Sequence, residues 1–313
     1  AQISELTGRP AKEPIRVYAG YIGDDDLDAQ AELALRELIR SGGFKRKVLI
    51  VATPTGTGWL DPAGVDTVEA LHGGDTAIVA LQYSYLPSWT TLLIDPDRSR
   101  YAANLLFQSI YRHWLTLPGS SRPELYLFGL SLGALGSEHS ASIVQLLNDP
   151  FDGALWSGPP FPSTIWTQLM NSNGAKGPAW LPELDDARLF RFAGPEGVGT
   201  PSGDGWGRMR MLYIQHASDP MSFFSPTLAF SRPRWLQNRG PDVSPHMRWN
   251  PLVLFFQVGF DILLATSVPI GYGHNFAPGA YIDGWLAVTD PGGWDAEDIV
   301  HLKTFFRERT VGD

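Results

Sequence analysis

The 313-residue chain has no cysteine, which removes disulfides, thiolate nucleophiles and Cys-ligated metal sites. Charge is sparse at 18%, and positive charge is the scarcer kind: 24 Lys and Arg stand against 33 Asp and Glu, a net −9. That deficit argues against a nucleic-acid partner and against simple attraction to anionic lipid. Long unbroken hydrophobic runs are missing as well. The most apolar stretch, 251–270, contains Leu252-Val253-Leu254-Phe255-Phe256 and Ile262-Leu263-Leu264-Ala265, but Gln257 and Asp261 interrupt it. It reads as a buried core helix rather than a membrane span. A start at Ala1-Gln2, with neither methionine nor signal peptide, reads as a processed or truncated piece of something longer.

Glycine and proline are plentiful, 33 and 25, which points to many loops, while recurring apolar runs argue against disorder. Residues 1–14 are polar, an arm or the end of a linker, and 15–313 read as one catalytic-sized α/β domain. Arg16 to Gly20 alternates like a strand, and 48–52 and 76–81 are continuous apolar strands of the kind buried in a parallel sheet. Asp24, Asp25 and Asp26 open a helical pattern and read as a helix-start charge cluster rather than a metal site. Helical patterns recur at 65–71, 97–117 and 132–148, with strands at 151–156 and 209–215 and a terminal helix at 295–308. Strands alternating with helices give an α/β fold: a mostly parallel central sheet covered on both faces. Residues 159–207 break this rhythm with many Gly and Pro and with Trp166, Trp180 and Trp206, so a lid or cap insertion is expected there, with Leu189-Phe190-Arg191-Phe192 a candidate short strand inside it.

The chemistry centres on Gly129-Leu130-Ser131-Leu132-Gly133, which follows an apolar strand and precedes a helix. This is a nucleophile elbow: the sharp turn lifts the serine hydroxyl above the sheet, and the glycines leave room for close backbone contact. A serine hydroxyl needs an imidazole to take its proton, and the imidazole needs a carboxylate to fix its tautomer. His72, His113, His139 and His301 lie in helical patterns, and His216 sits beside a candidate acid and shapes that loop. His246 lies in an irregular segment and stays in play. His274, between Gly273 and Asn275 after the last strong apolar element, is the favoured base. Asp219 follows a strand and precedes Pro220, which puts it on the sheet edge that carries the elbow; Asp242 is the second candidate.

An oxyanion would take the N–H of Leu132 and a second donor from Thr55-Gly56-Thr57-Gly58-Trp59, with Thr57 first and Thr55 second. No Gly-Lys-Ser/Thr follows that loop, so it is not a P-loop. Trp59, Tyr83, Tyr85 and Trp89 are candidate substrate-binding residues, for an apolar acyl group or a sugar ring. No metal or cofactor is implied.

With these motifs in view, the chain resembles an α/β-hydrolase over nearly its whole length. The order Ser131, Asp219, His274 is the superfamily's order of nucleophile, acid and histidine. More narrowly it resembles a bacterial α/β-hydrolase family whose members often carry an N-terminal membrane-spanning part. Ala52-Thr53-Pro54-Thr55-Gly56-Thr57-Gly58-Trp59, Gln82-Tyr83-Ser84-Tyr85-Leu86-Pro87-Ser88-Trp89, Gln215-His216-Ala217-Ser218-Asp219-Pro220 and Gly240-Pro241-Asp242-Val243-Ser244-Pro245 carry that likeness. The α/β-hydrolase resemblance implies a serine esterase or lipase acting through an acyl-enzyme; the narrower family implies no substrate, and it is the aromatic loops at 82–89 and 159–207 that suggest an ester with an apolar acyl part. The narrower likeness does imply an extracytoplasmic soluble domain tethered to a membrane by a segment outside this chain. Transfer of the acyl group to a glycan or lipid hydroxyl is the alternative, and a non-catalytic binding domain the third.

Overall fold

The computed structural model describes residues 2–21, 26–141, 149–172, 175–199 and 205–312. Asp24 and Asp25 and the distal part of the expected 132–148 helix lie outside the described residues.

Eight strands form the central sheet: β1 (Ile15–Ala19), β2 (Val48–Thr53), β3 (Thr76–Leu81), β4 (Glu124–Leu130), β5 (Gly153–Ser157), β6 (Phe190–Gly194), β7 (Gly197–Val198) and β8 (Arg210–Ile214). Their order is β1-β3-β2-β4-β5-β8-β6-β7, and every pairing is parallel except β6 with β7. All six residues of β2 and of β3 are buried. Side chains alternate between the two faces of a strand, so a continuous apolar run fills both layers at once. Leu49, Val51, Leu125 and Leu127 go to one core, and Val48, Ile50, Tyr126 and Phe128 to the other.

Helices α1 (Leu27–Arg40), α2 (Pro62–Leu71), α3 (Pro96–Thr116) and α4 (Leu132–Ser140) follow the first four strands. Later come α5 (Thr164–Met170), α6 (Pro220–Phe223), α7 (Val253–Asp261), α8 (Pro278–Thr289) and α9 (Ala296–Gly312). Helices α1, α3 and α4 cover one face of the sheet, and α2, α8 and α9 the other. Local sequence sets the starts: Asp26 caps α1 by accepting the Ala29 N–H, and Asp61, followed by Pro62, caps α2 through Ala63. Phe128 shows how tightly the second layer is packed, with its ring centroid 5.6 Å from that of Trp285. Truncating it to alanine would cost roughly 3–5 kcal/mol.

Three expectations change. The 159–207 stretch is not all insertion, because β6 and β7 within it belong to the central sheet. Its earlier part holds α5 and a two-stranded ribbon, Ala175–Lys176 with Glu183–Leu184. The 251–266 stretch is not a buried core helix: α7 is exposed along one side. Of residues 1–14, expected to be an arm or the end of a linker, Gln2–Thr7 is helical, Arg9 pairs with Asp298 and Lys12 N–H bonds Gly73 O, so the segment lies against the domain. Among the described residues no helix is long and apolar enough to cross a membrane.

Candidate active site

Strand β4 ends at Leu130, and Ser131 stands between it and α4 with φ 58° and ψ −124°. A non-glycine residue rarely holds a positive φ, and the conformation persists only where its surroundings enforce it. Here the Ser131 N–H bonds the Ser157 carbonyl of β5 at 3.0 Å. A Cβ on Gly133 would overlap the Thr53 carbonyl, and one on Gly129 would overlap the Gly133 backbone. The two glycines let α4 leave β4 at once and lie against β2.

Asp219 caps α6 at the end of the segment leaving β8 and is fully buried. A buried carboxylate is costly unless its oxygens are satisfied. Oδ1 accepts the Met221 N–H at 2.9 Å; Oδ2 lies 3.2 Å from the Ser222 hydroxyl and 2.7 Å from His274 Nδ1. Because the carboxylate accepts, His274 carries its proton on Nδ1, and Nε2 is left with a lone pair.

The backbone of the histidine loop is fixed as firmly as its ring. His274 N–H bonds the Ala265 carbonyl at 2.9 Å. Gly273 N–H donates to Ser218 Oγ at 2.9 Å, and that hydroxyl donates to Asp242 Oδ2 at 2.6 Å. From the other side His216 Nδ1 lies 2.9 Å from the Gly273 carbonyl, which fixes Nδ1 as the donor. Burial lowers the His216 pKa, which favours the neutral ring. Gly158 sits flat against the His274 imidazole: a Cβ there would lie 2.5 Å from Cε1.

Ser131, Leu132, Asp219 and His274 are thereby gathered at the carboxyl ends of β4, β5 and β8. Ser131 Oγ and His274 Nε2 are both buried, and neither has a hydrogen-bond partner among the described residues. The two atoms are not bonded to each other here; in the absence of substrate such contacts are often long and close on binding. Beside them Leu132, Leu135, Leu92, Met221 and Ala265 form a buried apolar cluster with Phe161 at its edge.

As the first residue of α4, Leu132 has an N–H without an intrahelical acceptor. The 53–59 loop lies alongside, since Gly133 abuts the Thr53 carbonyl. Thr55 N–H is committed to Trp59 O at 2.9 Å, whereas Thr57 N–H meets no acceptor among the described residues. The threonine hydroxyls lie 3.5 Å apart.

Of the candidate substrate-binding aromatics, Trp59, Tyr85 and Trp89 are exposed. Tyr83 is not available: it is fully buried, its hydroxyl donates to the Pro54 carbonyl at 3.0 Å, and burial raises its pKa. It props up the 53–59 loop and offers no ring face to a ligand. Asp242 is placed one hydrogen-bond step behind the histidine loop, not against the imidazole. His246 is exposed, and His72 bonds Thr289 with its pKa lowered by burial to about 4. Sequence reasoning missed Gly158, Ser218 and Ser222. Ser218 stood inside a motif already singled out, but nothing local marks a serine that works through another residue's backbone.

A mostly parallel sheet with a serine at positive φ between a central strand and its helix is the arrangement of the α/β-hydrolase class. The sequence matches the profile of the Alpha/beta-hydrolase family over residues 15–302, and the chain belongs to that family. No curated protein matches it. Among solved structures it is similar to an acetylxylan esterase at 13% identity and TM-score 0.29, covering 56% of this chain and 85% of that one. A structure reported with the metagenome-derived lipolytic enzymes LipS and LipT is similar at 12% identity and TM-score 0.23, covering 43% and 51%.

Proposed function

We propose that the chain is a serine esterase working through an acyl-enzyme on Ser131. The observation that supports this most is the pairing of two buried atoms without partners, Ser131 Oγ and His274 Nε2, with an imidazole whose other nitrogen is held by Asp219. Burying unpartnered polar atoms costs stability, and groups kept in that state await a third party. In the proposed cycle Ser131 Oγ attacks the ester carbonyl carbon while His274 Nε2 takes its proton. The oxyanion is met by the Leu132 N–H and, from the neighbouring loop, the Thr57 N–H. The imidazolium, stabilised by Asp219, then protonates the departing alcohol as the C–O bond breaks. Water repeats the sequence, giving its proton to His274 and releasing the acid as Ser131 recovers the proton.

Apolar side chains around Leu132 favour an acyl part of hydrocarbon character. Passing the acyl group to an organic hydroxyl would use the same intermediate, but burial of Tyr83 removes one of the rings suited to stacking on a sugar acceptor. The extracytoplasmic, membrane-tethered setting belongs to this reading and rests on the family likeness alone. The test is a fluorophosphonate probe with peptide mapping. One adduct is expected, on Ser131, and Ser131→Ala should abolish it and lower ester turnover by roughly four to six orders of magnitude. Labelling that persists in the variant would overturn the assignment.

A further inference from the structure

Helix α7 is apolar except for Gln257 and Asp261, a composition closer to that of a buried helix than of a surface one, yet one apolar side of it meets water. Leu254 and Val258 are buried one turn apart, while Val253, Phe256 and Phe260, at i, i+3 and i+7, are each more than half exposed. Leu263 and Leu264 extend the stripe through the next turn, and Leu252 and Phe230 flank its start, all more than half exposed. Leu252 holds a left-handed φ of 61°, and its N–H bonds the Ala229 carbonyl at 3.3 Å, which brings Phe230 alongside. Scattered exposed hydrophobics need no explanation, but a contiguous face of them does.

The border of this face is basic in a chain that is acidic. Residues 225–272 carry Arg232, Arg234, Arg239 and Arg248 against Asp242 and Asp261 only. Arg232, Arg234 and Arg248 are exposed, lie within four residues of Phe230 or Leu252, and enter no ion pair among the described residues. A symmetric pairing of two copies would press like-charged rims together. An anionic surface would neutralise them.

The face also continues inward to the site. Ala265, at the end of the stripe, gives its carbonyl to the His274 N–H and its side chain to the cluster around Leu132. On the inner side of α7 Phe255 meets Phe224 with centroids 5.4 Å apart, and Phe224 meets Phe161 at 5.2 Å. We propose that this face seats the protein on a negatively charged lipid bilayer, Phe256, Phe260 and Leu264 entering the acyl region and the arginines lying at the headgroups. Docked so, the site meets esters held in the membrane, and only this last step rests on the esterase reading.

The test sediments the purified chain with phosphatidylcholine vesicles, with and without phosphatidylglycerol. Binding is expected to the anionic vesicles and to weaken with salt. Phe256→Ser with Phe260→Ser should lower the partition coefficient at least about tenfold, and Arg232→Gln with Arg234→Gln by roughly five- to twentyfold on anionic vesicles only. Both pairs should cleave a soluble short-chain ester like the parent and lose rate on a vesicle-held ester in proportion to binding. Absence of vesicle binding, or equal binding by the phenylalanine variant, overturns the proposal. So does a parent dimer that the phenylalanine variant dissolves while neither binds vesicles, which would assign the face to a second copy. Vesicle binding with no cleavage of either ester leaves the docking standing and removes the esterase reading instead.

Discussion

The strand β4 side of the site and the 215–275 side hold their functional groups by different means. On the first, Ser131 is placed by backbone sterics at the centre of a parallel sheet, where the glycines at 129 and 133 admit one path for the chain. On the second, Asp219 and His274 sit in loops with little regular structure and are placed by side-chain hydrogen bonds: Asp219 has its near neighbour Ser222, and the His274 loop is held across the fold by Ser218, Asp242 and His216. Sheet geometry is tolerant of any single polar substitution, since its energy is spread over many contacts. A loop held by four or five polar groups should fail in steps, one for each group removed.

The sharpest break is expected at the acid. Asp219→Asn should lower turnover by roughly 10³–10⁴, because the amide favours the wrong imidazole tautomer while the fold persists. Circular dichroism and steady-state rates on the same sample check both halves. A larger loss with Asp242→Asn would exchange the two roles. As drawn, Asp242→Ala removes only the acceptor for Ser218 and loosens the Gly273 peptide, so a loss of about tenfold to a hundredfold in kcat, with KM little changed, is expected.

The smallest effect should come from Glu138, which ties α4, on the β4 side, to β8 and the start of α5. It accepts the Tyr213 hydroxyl at 2.6 Å and the N–H groups of Ile165 and Trp166 at the start of α5, and burial raises its pKa to about 7. The folded state keeps this proton longer than the unfolded chain does, so Glu138 withdraws stability as pH rises from about 4.5 to about 7 and changes nothing beyond. Glu138→Gln cannot titrate. Its Tm minus that of the parent should therefore rise by a few °C across that window and then level off. A difference that falls with pH would mean that the carboxylate is ionised throughout and is held by its donors.

The same contrast decides what the sequence made legible. Strands 48–52 and 76–81 stand out because a strand buried on both faces must be continuously apolar, and the elbow stands out because its sterics demand glycine at fixed spacing. Asp219 and His274 were readable as candidates from chain order and from their places after β8 and before α8. Their supporting groups were not, because Asp242 reaching Ser218 is a contact across loops without a period. Three misreadings share one cause, composition taken for location. Tyr83 in an aromatic loop proved to be core, the apolar helix α7 proved to be surface, and the 159–207 stretch, read as an insertion despite its possible strand at 189–192, contributes β6 and β7 to the sheet.

Gly158 sets a tolerance on the imidazole. Its missing side chain is the space that Cε1 occupies, and the ring edge of Phe276, with centroids 5.8 Å apart, borders the imidazole as well. In many machines the part that moves a load between two stations travels with it; on the mechanism proposed above, the imidazole is boxed in and the proton alone would travel. For anyone diversifying the pocket, position 158 is therefore closed to substitution: even a methyl group would evict the ring. Exposed Trp59, Tyr85 and Trp89 are where variation has room.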